Sequence, residues 1–521
     1  MVKYNFFLKK SSAQAYFMRY FILAVLLACP LMASVSAHAD STMAPENQFH
    51  DAAVNKRSVL KIGYENTKLP DNQSMGIIGT TYLIEIGHGF YFGPAAYGAV
   101  TGDKGGFFTA GGELAWHYPL ISQLELQTGI YAGGGGGGGG RSLWGGGLML
   151  RPHLDLIWNF GIFQAGMTAS NVSFPNGGDI NSTQIGFVLA REGDFSYVTS
   201  DLAGRRLASR GRQGFGVDRA MVTVGSYFPG TGVQKLGGGP SEDHMGYVGA
   251  RLEQFITPSL YWGFEAAGAA SGDSDGYAEF LGTLGVETSI WKDYLTVGSR
   301  LALGMGGGGG VSVGGGLLGK LGAYTTFNLS RSTHLSLEGG YAVAPDGDFR
   351  APYGSVNLGF DLDHPFDNDP QGTVDEYEFI FGSEHYFDAV TKDGDKRDID
   401  AVVIKFNRYL GDSIYLTGQA HSAYNGESGS YSVGLVGIGY RSPKFVSVLS
   451  AGAEMLAGAA GGASLDTDGG MVVQPMAYLG VQLTKEIGIK LGAGRIISVK
   501  GKLDSTVLDM AVSFNFGVSR R

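Results

Sequence analysis

The sequence predicts an all-β chain that folds as a transmembrane antiparallel up-and-down β-barrel, with about 24 strands in three homologous eight-strand modules. Three observations predict it. A glycine-rich hairpin recurs at a spacing of roughly 150 residues, apolar residues alternate with polar or small ones at a period of two, and connections between strands are alternately short and long.

The N-terminus has the pattern of a secretory signal peptide over residues 1–39. A positively charged stretch precedes the short apolar run Tyr20–Ala28, and Ala37-His38-Ala39 is a cleavage site before Asp40. The apolar run is too short to cross a bilayer as a helix. A lipoprotein would be processed at Cys29, but the residues before it are a poor lipobox. Cys29 is the only cysteine, so the mature chain is expected to form no disulfide.

The rest of the chain divides into three modules. We expect an N-terminal periplasmic segment over 40–57, module 1 over 58–192, a linker over 193–219, module 2 over 220–362, a linker over 363–374, and module 3 over 375–521. Both linkers are polar, and the second (DHPFDNDPQGTV) is rich in Asp and Pro. Such linkers are typical of junctions between self-contained units.

The last segment shows the strand pattern most clearly. Leu508, Met510 and Val512 lie on one face, and Asp509 and Ser513 lie on the other. One apolar face and one polar or small face predict a strand that contacts two different environments. In module 2 we expect strands to begin near residues 220, 245, 260, 277, 295, 314, 334 and 352.

The connections suggest which end of the barrel is which. Short turns such as 257–259, 330–333 and 411–413 alternate with longer polar loops such as 171–182, 271–276 and 424–430. Aromatic residues crowd the strand ends beside the short turns, among them Trp116, Trp158 and Trp291. Short turns on one side, long loops on the other and an aromatic girdle are typical of bacterial outer-membrane barrels.

From Ser58 to its C-terminus the chain resembles Gram-negative outer-membrane β-barrel proteins as a class. The terminal strand Leu508-Asp-Met-Ala-Val-Ser-Phe-Asn-Phe-Gly-Val is similar to the assembly signal of that class, although Ser519-Arg520-Arg521 follows it instead of a terminal aromatic residue. The resemblance implies location in the outer membrane, contact with outer-membrane lipid and lipopolysaccharide, and insertion by the barrel-insertion machinery.

The number of barrels is open at this point. Eight strands close a small barrel and 24 close a large one. The linkers favour three tandem barrels, whereas the many inward glycines and alanines would leave voids in small ones. The sequence slightly favours a single large barrel, with three tandem eight-stranded barrels as the alternative.

Five charged or polar residues are expected to face the lumen: Arg151, Lys320, Gln474, Glu113 and Glu287. The first three stand at equivalent positions of the three modules. In one large barrel they would surround a shared lumen and could contact an anionic solute. In three small barrels each would pair with charges of its own barrel.

Each glycine hairpin is expected at the loop side, after the fifth of the eight strands of its module, and three interpretations of it are open. Residues including Gly133, Gly140, Gly306 and Gly310 could form a flexible constriction at a shared mouth. Alternatively, glycine allows strands or loops to pack closely, or the clusters are a neutral low-complexity expansion.

The remaining patterns exclude other functions. Gly314–Leu321 looks like a phosphate-binding loop but lacks the Ser or Thr after the lysine and the following helix. The Asp clusters lack the closing Glu of a calcium loop, and His117, His153 and Asp155 have no identifiable nucleophile. We therefore expect no catalytic residue, no metal and no cofactor, and the net charge of −10 argues against nucleic acid.

Two functions follow. The first is a passive outer-membrane channel or export pore, for a polymer such as a polysaccharide or for small solutes. The alternative is a non-conducting structural or interaction barrel that presents surface loops or docks a periplasmic secretion partner.

Overall fold

The computed structural model describes residues 52–138, 141–208, 211–291, 294–367 and 371–521. The predicted signal peptide lies outside these residues, as does Gly140. The described chain is built almost entirely of antiparallel strands, with single helical turns at Pro70–Asn72, Arg141–Trp144 and Ser200–Leu202. No helix in this part of the chain is long and apolar enough to cross a membrane, which has no bearing on strands.

The strands form three separate closed barrels of eight strands each. Barrel 1 contains β1 Val54–Lys68, β2 Ser74–Gly87, β3 Phe90–Thr101, β4 Phe108–Ile121, β5 Leu124–Gly136, β6 Met149–Asn159, β7 Gln164–Ser173 and β8 Asn181–Tyr197. It closes because β1 pairs with β8 from Val54↔Tyr197 to Glu65↔Gly186.

Barrel 2 contains β10 Arg219–Tyr227, β11 Met245–Phe255, β12 Leu260–Ser271, β13 Ala278–Trp291, β14 Leu295–Gly307, β15 Leu317–Asn328, β16 Thr333–Val343 and β17 Arg350–Asp361; the short strand β9, Arg206–Ala208, precedes it. The strand starts predicted for this module agree with the structure to within three residues. Pairing of β10 with β17 closes the barrel.

Barrel 3 contains β18 Gln371–Val390, β19 Lys396–Tyr409, β20 Ile414–Asn425, β21 Ser432–Arg441, β22 Leu449–Gly461, β23 Met471–Gln482, β24 Ile487–Ser498 and β25 Asp504–Arg520. It closes through β18 and β25. In β25 the predicted alternation is confirmed, since Leu508, Met510 and Val512 are exposed while Asp509 and Ser513 are buried.

The preference for a single large barrel is therefore wrong, and the alternative of three tandem barrels is what the structure contains. The physical reason lies in how the interior is filled. Inward glycines do not leave voids, because tyrosine rings from neighbouring strands lie over them. A Cβ added to Gly79 would lie 2.3 Å from the ring of Tyr97, and one added to Gly452 would lie 2.3 Å from the ring of Tyr478.

Each barrel has a turn end and a loop end. In barrel 1 the connections β2–β3, β4–β5 and β6–β7 are short and lie at the same end as the start of β1 and the end of β8. The longer connections, including the glycine hairpin between β5 and β6, lie at the other end. Barrels 2 and 3 follow the same order, so each glycine hairpin joins the fifth and sixth strands at the loop end.

The three barrels pack against one another through their outer walls. One apolar cluster joins residues of all three, including Phe108 of barrel 1, Phe280 of barrel 2 and Phe406 of barrel 3. The segment between β8 and β10 crosses this junction. Its strand β9 pairs with the first residues of β18, and Phe215 lies between Phe195 and Phe406 at ring-centroid distances of 5.1 and 5.6 Å.

Candidate functional site

The lumen of barrel 1 contains two groups of ion pairs. In the first, Arg151 on β6 donates two hydrogen bonds to Glu65 on β1, at 2.8 Å from Nε and 2.9 Å from Nη2. Ser170 donates a further bond of 2.7 Å to the same carboxylate. Arg151 thus faces the lumen, and its charge is paired within its own barrel.

The second group surrounds Glu113. Its carboxylate lies 2.8 Å from Lys61 Nζ and 3.2 Å from His153 Nε2. Asp155 lies 3.2 Å from the same lysine and 3.0 Å from His153 Nδ1. The histidine therefore has an acidic partner on each ring nitrogen, which is the arrangement of a buried charge network and leaves neither nitrogen free to activate a nucleophile.

The lumen of barrel 2 holds the largest network. Lys320 on β15 lies 2.9 Å from Glu279 and also pairs with Glu265. The rings of three tyrosines surround its ammonium group at 4.7 to 5.3 Å: Tyr227, Tyr247 and Tyr353. Arg300 lies 2.6 Å from Glu265 and 2.8 Å from Glu338, to which Arg251 also donates at 2.8 Å.

Glu287 occupies the turn end of the same lumen. Its carboxylate accepts hydrogen bonds of 2.7 Å from Arg219 Nη2 and 2.8 Å from the Tyr324 hydroxyl. Arg219 also donates to Glu253 at 2.7 Å. These side chains place an ion pair between the interior of barrel 2 and the space beyond its turn end.

In barrel 3, Gln474 takes the position of Arg151 and Lys320. Its amide nitrogen donates to both oxygens of Glu384, at 3.0 and 3.1 Å. The cations of this barrel stand elsewhere: Lys405 lies 2.8 Å from Asp509, and Lys490 lies 2.7 Å from Glu378. The three equivalent positions therefore lie in three separate lumens, and the structure does not bring them together.

Little space remains beside the ion pairs of barrels 1 and 3, whereas a cavity of about 260 Å³ lies at the turn end of barrel 2, beside Arg219 and Glu287. The cavity beside Arg151 and Lys61 in barrel 1 has a volume of about 20 Å³, and the cavity beside Lys405 and Lys490 in barrel 3 has about 10 Å³. A single water molecule needs about 10–15 Å³ measured in this way. Each of these cavities therefore has room for one water molecule and for no larger solute.

The glycine hairpins lie between barrels. At the end of the fifth strand, Gly136 of barrel 1 lies against Gly429 of barrel 3, and a Cβ on Gly136 would be 2.5 Å from the Gly429 carbonyl oxygen. A Cβ on Gly307 of barrel 2 would likewise lie 2.5 Å from the amide nitrogen of Gly106 in barrel 1. In the third contact, a Cβ on Gly461 of barrel 3 would lie 2.5 Å from the amide nitrogen of Gly276 in barrel 2.

A second set of contacts repeats the same order just before the sixth strand. A Cβ added to Gly147, Gly316 or Gly470 would lie 2.4–2.5 Å from the carbonyl oxygen of Ala423, Ala99 or Ala269, respectively. Each hairpin thus packs on the connection between the third and fourth strands of the next barrel. The order runs from barrel 1 to 3, from 3 to 2 and from 2 back to 1, which closes a ring of head-to-tail contacts.

Hydrogen bonds accompany these contacts. Gly105 of barrel 1 donates to the carbonyl of Gly314 in barrel 2 at 2.9 Å. Asn176 of barrel 1 donates to the carbonyl of Tyr424 in barrel 3 at 2.9 Å. Asp275 of barrel 2 accepts from two groups of barrel 3, Lys392 Nζ at 3.0 Å and Thr467 Oγ1 at 3.1 Å.

The glycines expected at a constriction have different surroundings. Gly133 and Gly306 pack on their own barrels, against Tyr131 and Leu318 respectively. The carbonyl of Gly310 accepts a hydrogen bond of 2.7 Å from Leu236. Within the described residues, no group of three or more His, Cys, Asp or Glu side chains is arranged to hold a metal ion.

No protein-family model matches the chain, and no curated protein matches it in sequence. Its neighbours among solved structures are outer-membrane β-barrel proteins of Gram-negative bacteria. OccK5 (OpdH) of Pseudomonas aeruginosa is 11% identical over 90% of this chain and 98% of its own, with a TM-score of 0.22. The outer membrane channel DcaP of Acinetobacter baumannii is 12% identical over 89% of this chain and 97% of its own, with a TM-score of 0.21.

A third neighbour, the ferric enterobactin receptor PfeA of Pseudomonas aeruginosa, is 8% identical over 88% of this chain and 81% of its own, with a TM-score of 0.27. Matches at TM-scores this low carry no argument about how this chain works.

Proposed function

We propose that this chain is a non-conducting outer-membrane scaffold of a Gram-negative bacterium, in which three small barrels interlock and present one rigid loop end at the cell surface. The observation that carries the proposal is the filling of the lumens. Every lumen holds buried ion pairs, and the cavities beside those in barrels 1 and 3 have room for one water molecule.

The outer walls support a membrane location. Aliphatic side chains on outward positions are exposed in each barrel, for example Leu154, Leu303 and Met510. Aromatic side chains are exposed beside the short turns, among them Trp158, Trp291 and Tyr440. An apolar band bordered by aromatic residues is how a membrane barrel meets hydrocarbon and the lipid headgroups.

The orientation follows from the turn end. Barrels of this type keep short turns on the periplasmic side and longer loops outside. The interlocked hairpins then lie at the cell surface, in contact with lipopolysaccharide. The linkers and the C-terminus lie on the periplasmic side. There the insertion machinery recognises β25, and a secretion partner could dock.

A channel for a polymer or a small solute would need a path that these side chains occupy. Opening the lumen of barrel 1 would require moving Arg151 away from Glu65 and leaving two buried charges unpaired. Removal of one partner from such a pair costs about 3–5 kcal/mol. The geometry therefore favours the scaffold over the channel.

Single-channel recording in planar lipid bilayers tests this proposal. A change of gel mobility on heating shows that the purified protein is folded. Protection from protease in vesicles shows that it has inserted. We expect many insertions without stable current steps. Large, stable steps from inserted wild-type protein would overturn the scaffold and support the channel.

A further inference from the structure

We infer that the outer wall between barrels 2 and 3 binds one acyl chain of an anionic phospholipid, with the headgroup at the turn end. This inference rests on the proposed membrane location. The site is a cleft of about 330 Å³, which is within the range of pockets that hold small ligands.

The cleft is lined by apolar side chains from both barrels. Barrel 2 contributes Val222 on β10 and Leu252 on β11, and barrel 3 contributes Leu416 on β20 and Val436 on β21. Phe215 of the segment between β8 and β10 lines it as well. These walls cannot satisfy the hydrogen bonds of water, so hydrocarbon is the favoured occupant.

The cleft opens sideways onto the surface that faces lipid. The next outward residues on its two walls, Val224 and Ile438, are exposed by 56% and 51%. Apolar surface that faces lipid therefore adjoins the cleft on both of its walls. A protein segment in the cleft would have to displace lipid along the whole outer wall, so a lipid chain is the favoured occupant.

Positive charge lies at the turn end of the cleft. Arg408 lines the cleft and donates to Asp375 at 2.7 Å. Arg520 also reaches Asp375, at 3.5 Å, and its side chain is 34% exposed. Two guanidinium groups that share one carboxylate leave an excess positive charge, which matches the phosphate of an anionic lipid.

Native mass spectrometry of protein extracted from membranes in mild detergent tests the inference. We expect one phospholipid to remain on each wild-type chain. Val222→Trp would narrow the cleft from one wall, and Val436→Trp would narrow it from the opposite wall. Because part of the acyl chain is displaced from the cleft, we expect lipid retention to fall about fiftyfold in either variant.

The matched control is Val297→Trp, because Val297 is a half-buried outward residue of β14 that does not line the cleft. It is expected to retain lipid like the wild type. Arg408→Gln tests the headgroup: after exchange in mixed vesicles, it is expected to lose the preference for phosphatidylglycerol over phosphatidylethanolamine.

The inference is overturned if folded, inserted wild-type protein carries no lipid, or if both cleft-narrowing variants retain it. It is also overturned if protein that was reconstituted in vesicles and then extracted carries only detergent and no phospholipid. Failure of insertion is a different result, because it would refute the proposed membrane scaffold itself.

Discussion

The glycine contacts between barrels can be tested by adding one methyl group at a time. Gly134 and Gly461 have backbone conformations that alanine also adopts, and both face a neighbouring barrel. A Cβ on Gly134 would lie 2.3 Å from the carbonyl oxygen of Ser422 in barrel 3. A Cβ on Gly461 would lie 2.5 Å from the amide nitrogen of Gly276 in barrel 2.

The expected magnitude follows from these distances. Both lie far inside van der Waals contact, and the atoms that would be struck belong to backbone, so the barrels must move apart. Forcing an extra methyl group into a packed contact costs about 1–3 kcal/mol. We therefore expect Gly134→Ala and Gly461→Ala each to weaken the attachment of barrel 3 by about 5- to 150-fold.

The assay separates barrel 3 from the rest of the chain. A protease site inserted between Asp367 and Gln371 allows the chain to be cut after folding, and an affinity tag on the C-terminus then recovers barrel 3. In the wild type, barrels 1 and 2 are expected to remain bound to it. In both variants they are expected to be released at a lower temperature or detergent concentration.

Two matched variants show whether the effect is specific. Gly315→Ala strikes the contact between barrels 1 and 2, where a Cβ would lie 2.7 Å from the Gly102 carbonyl oxygen. Gly339→Ala adds a methyl group on an outer wall, 3.9 Å from the nearest carbonyl oxygen, which belongs to its own barrel. Retention of barrel 3 should stay near the wild-type value in both. Equal release in all four variants, or in none, would refute the assigned contacts.

Three further outcomes are expected. Lys320→Met leaves the buried Glu279 with tyrosine hydroxyls but no cation, while Glu265 keeps Arg300, and should lower the free energy of unfolding in vesicles by about 3–5 kcal/mol; an unchanged urea midpoint would contradict the buried network. Residues 371–521, expressed behind a signal peptide, should give a heat-modifiable barrel, and an unfolded product would show that barrel 3 needs its neighbours. Asp275→Ala removes the acceptor of Lys392 and should weaken the contact between barrels 2 and 3 by about 1–3 kcal/mol in the same release assay, whereas unaltered release would mean that this pair contributes nothing.

The strands of this fold could be predicted from the sequence because their pattern is local. Alternation in β25 requires only that one face meets lipid and the other meets the interior. The position of the glycine hairpins after the fifth strand, and the separation of short turns from long loops, depend on the same local pattern. These parts of the prediction are confirmed.

Closure of the barrels could not be read from that pattern. It depends on whether β8 pairs with β1 or continues to another module, and the residues of β8 alternate in the same way in either case. The deciding contacts join residues far apart in the chain, such as Glu65 with Arg151. Inward glycines are a poor guide to closure, because a neighbouring ring can fill their space, as the ring of Tyr97 does beside Gly79.

The equivalent polar positions were partly predictable. Arg151, Lys320 and Gln474 were expected to face inward, and their partners are Glu65, Glu279 and Glu384. The pairings do not follow from the repeat, because Glu65 and Glu384 lie on the first strand of their barrels, whereas Glu279 lies on the fourth. A signal was available in the inward glutamates themselves, since a buried lysine or arginine requires an acidic partner.

The glycines that remain in the third hairpin indicate the role of glycine in all three. This hairpin has five glycines where the first hairpin has eleven and the second has eight, which would suit a neutral expansion that is decaying. Yet Gly461 and Gly470 remain, and these are the residues whose added Cβ would lie 2.5 Å and 2.4 Å from backbone of barrel 2. Side chains of barrel 3 add to this junction, with Lys392 and Thr467 donating to Asp275. Glycine is thus kept where two barrels meet backbone to backbone, which favours the packing interpretation over both the expansion and a gate at a shared mouth.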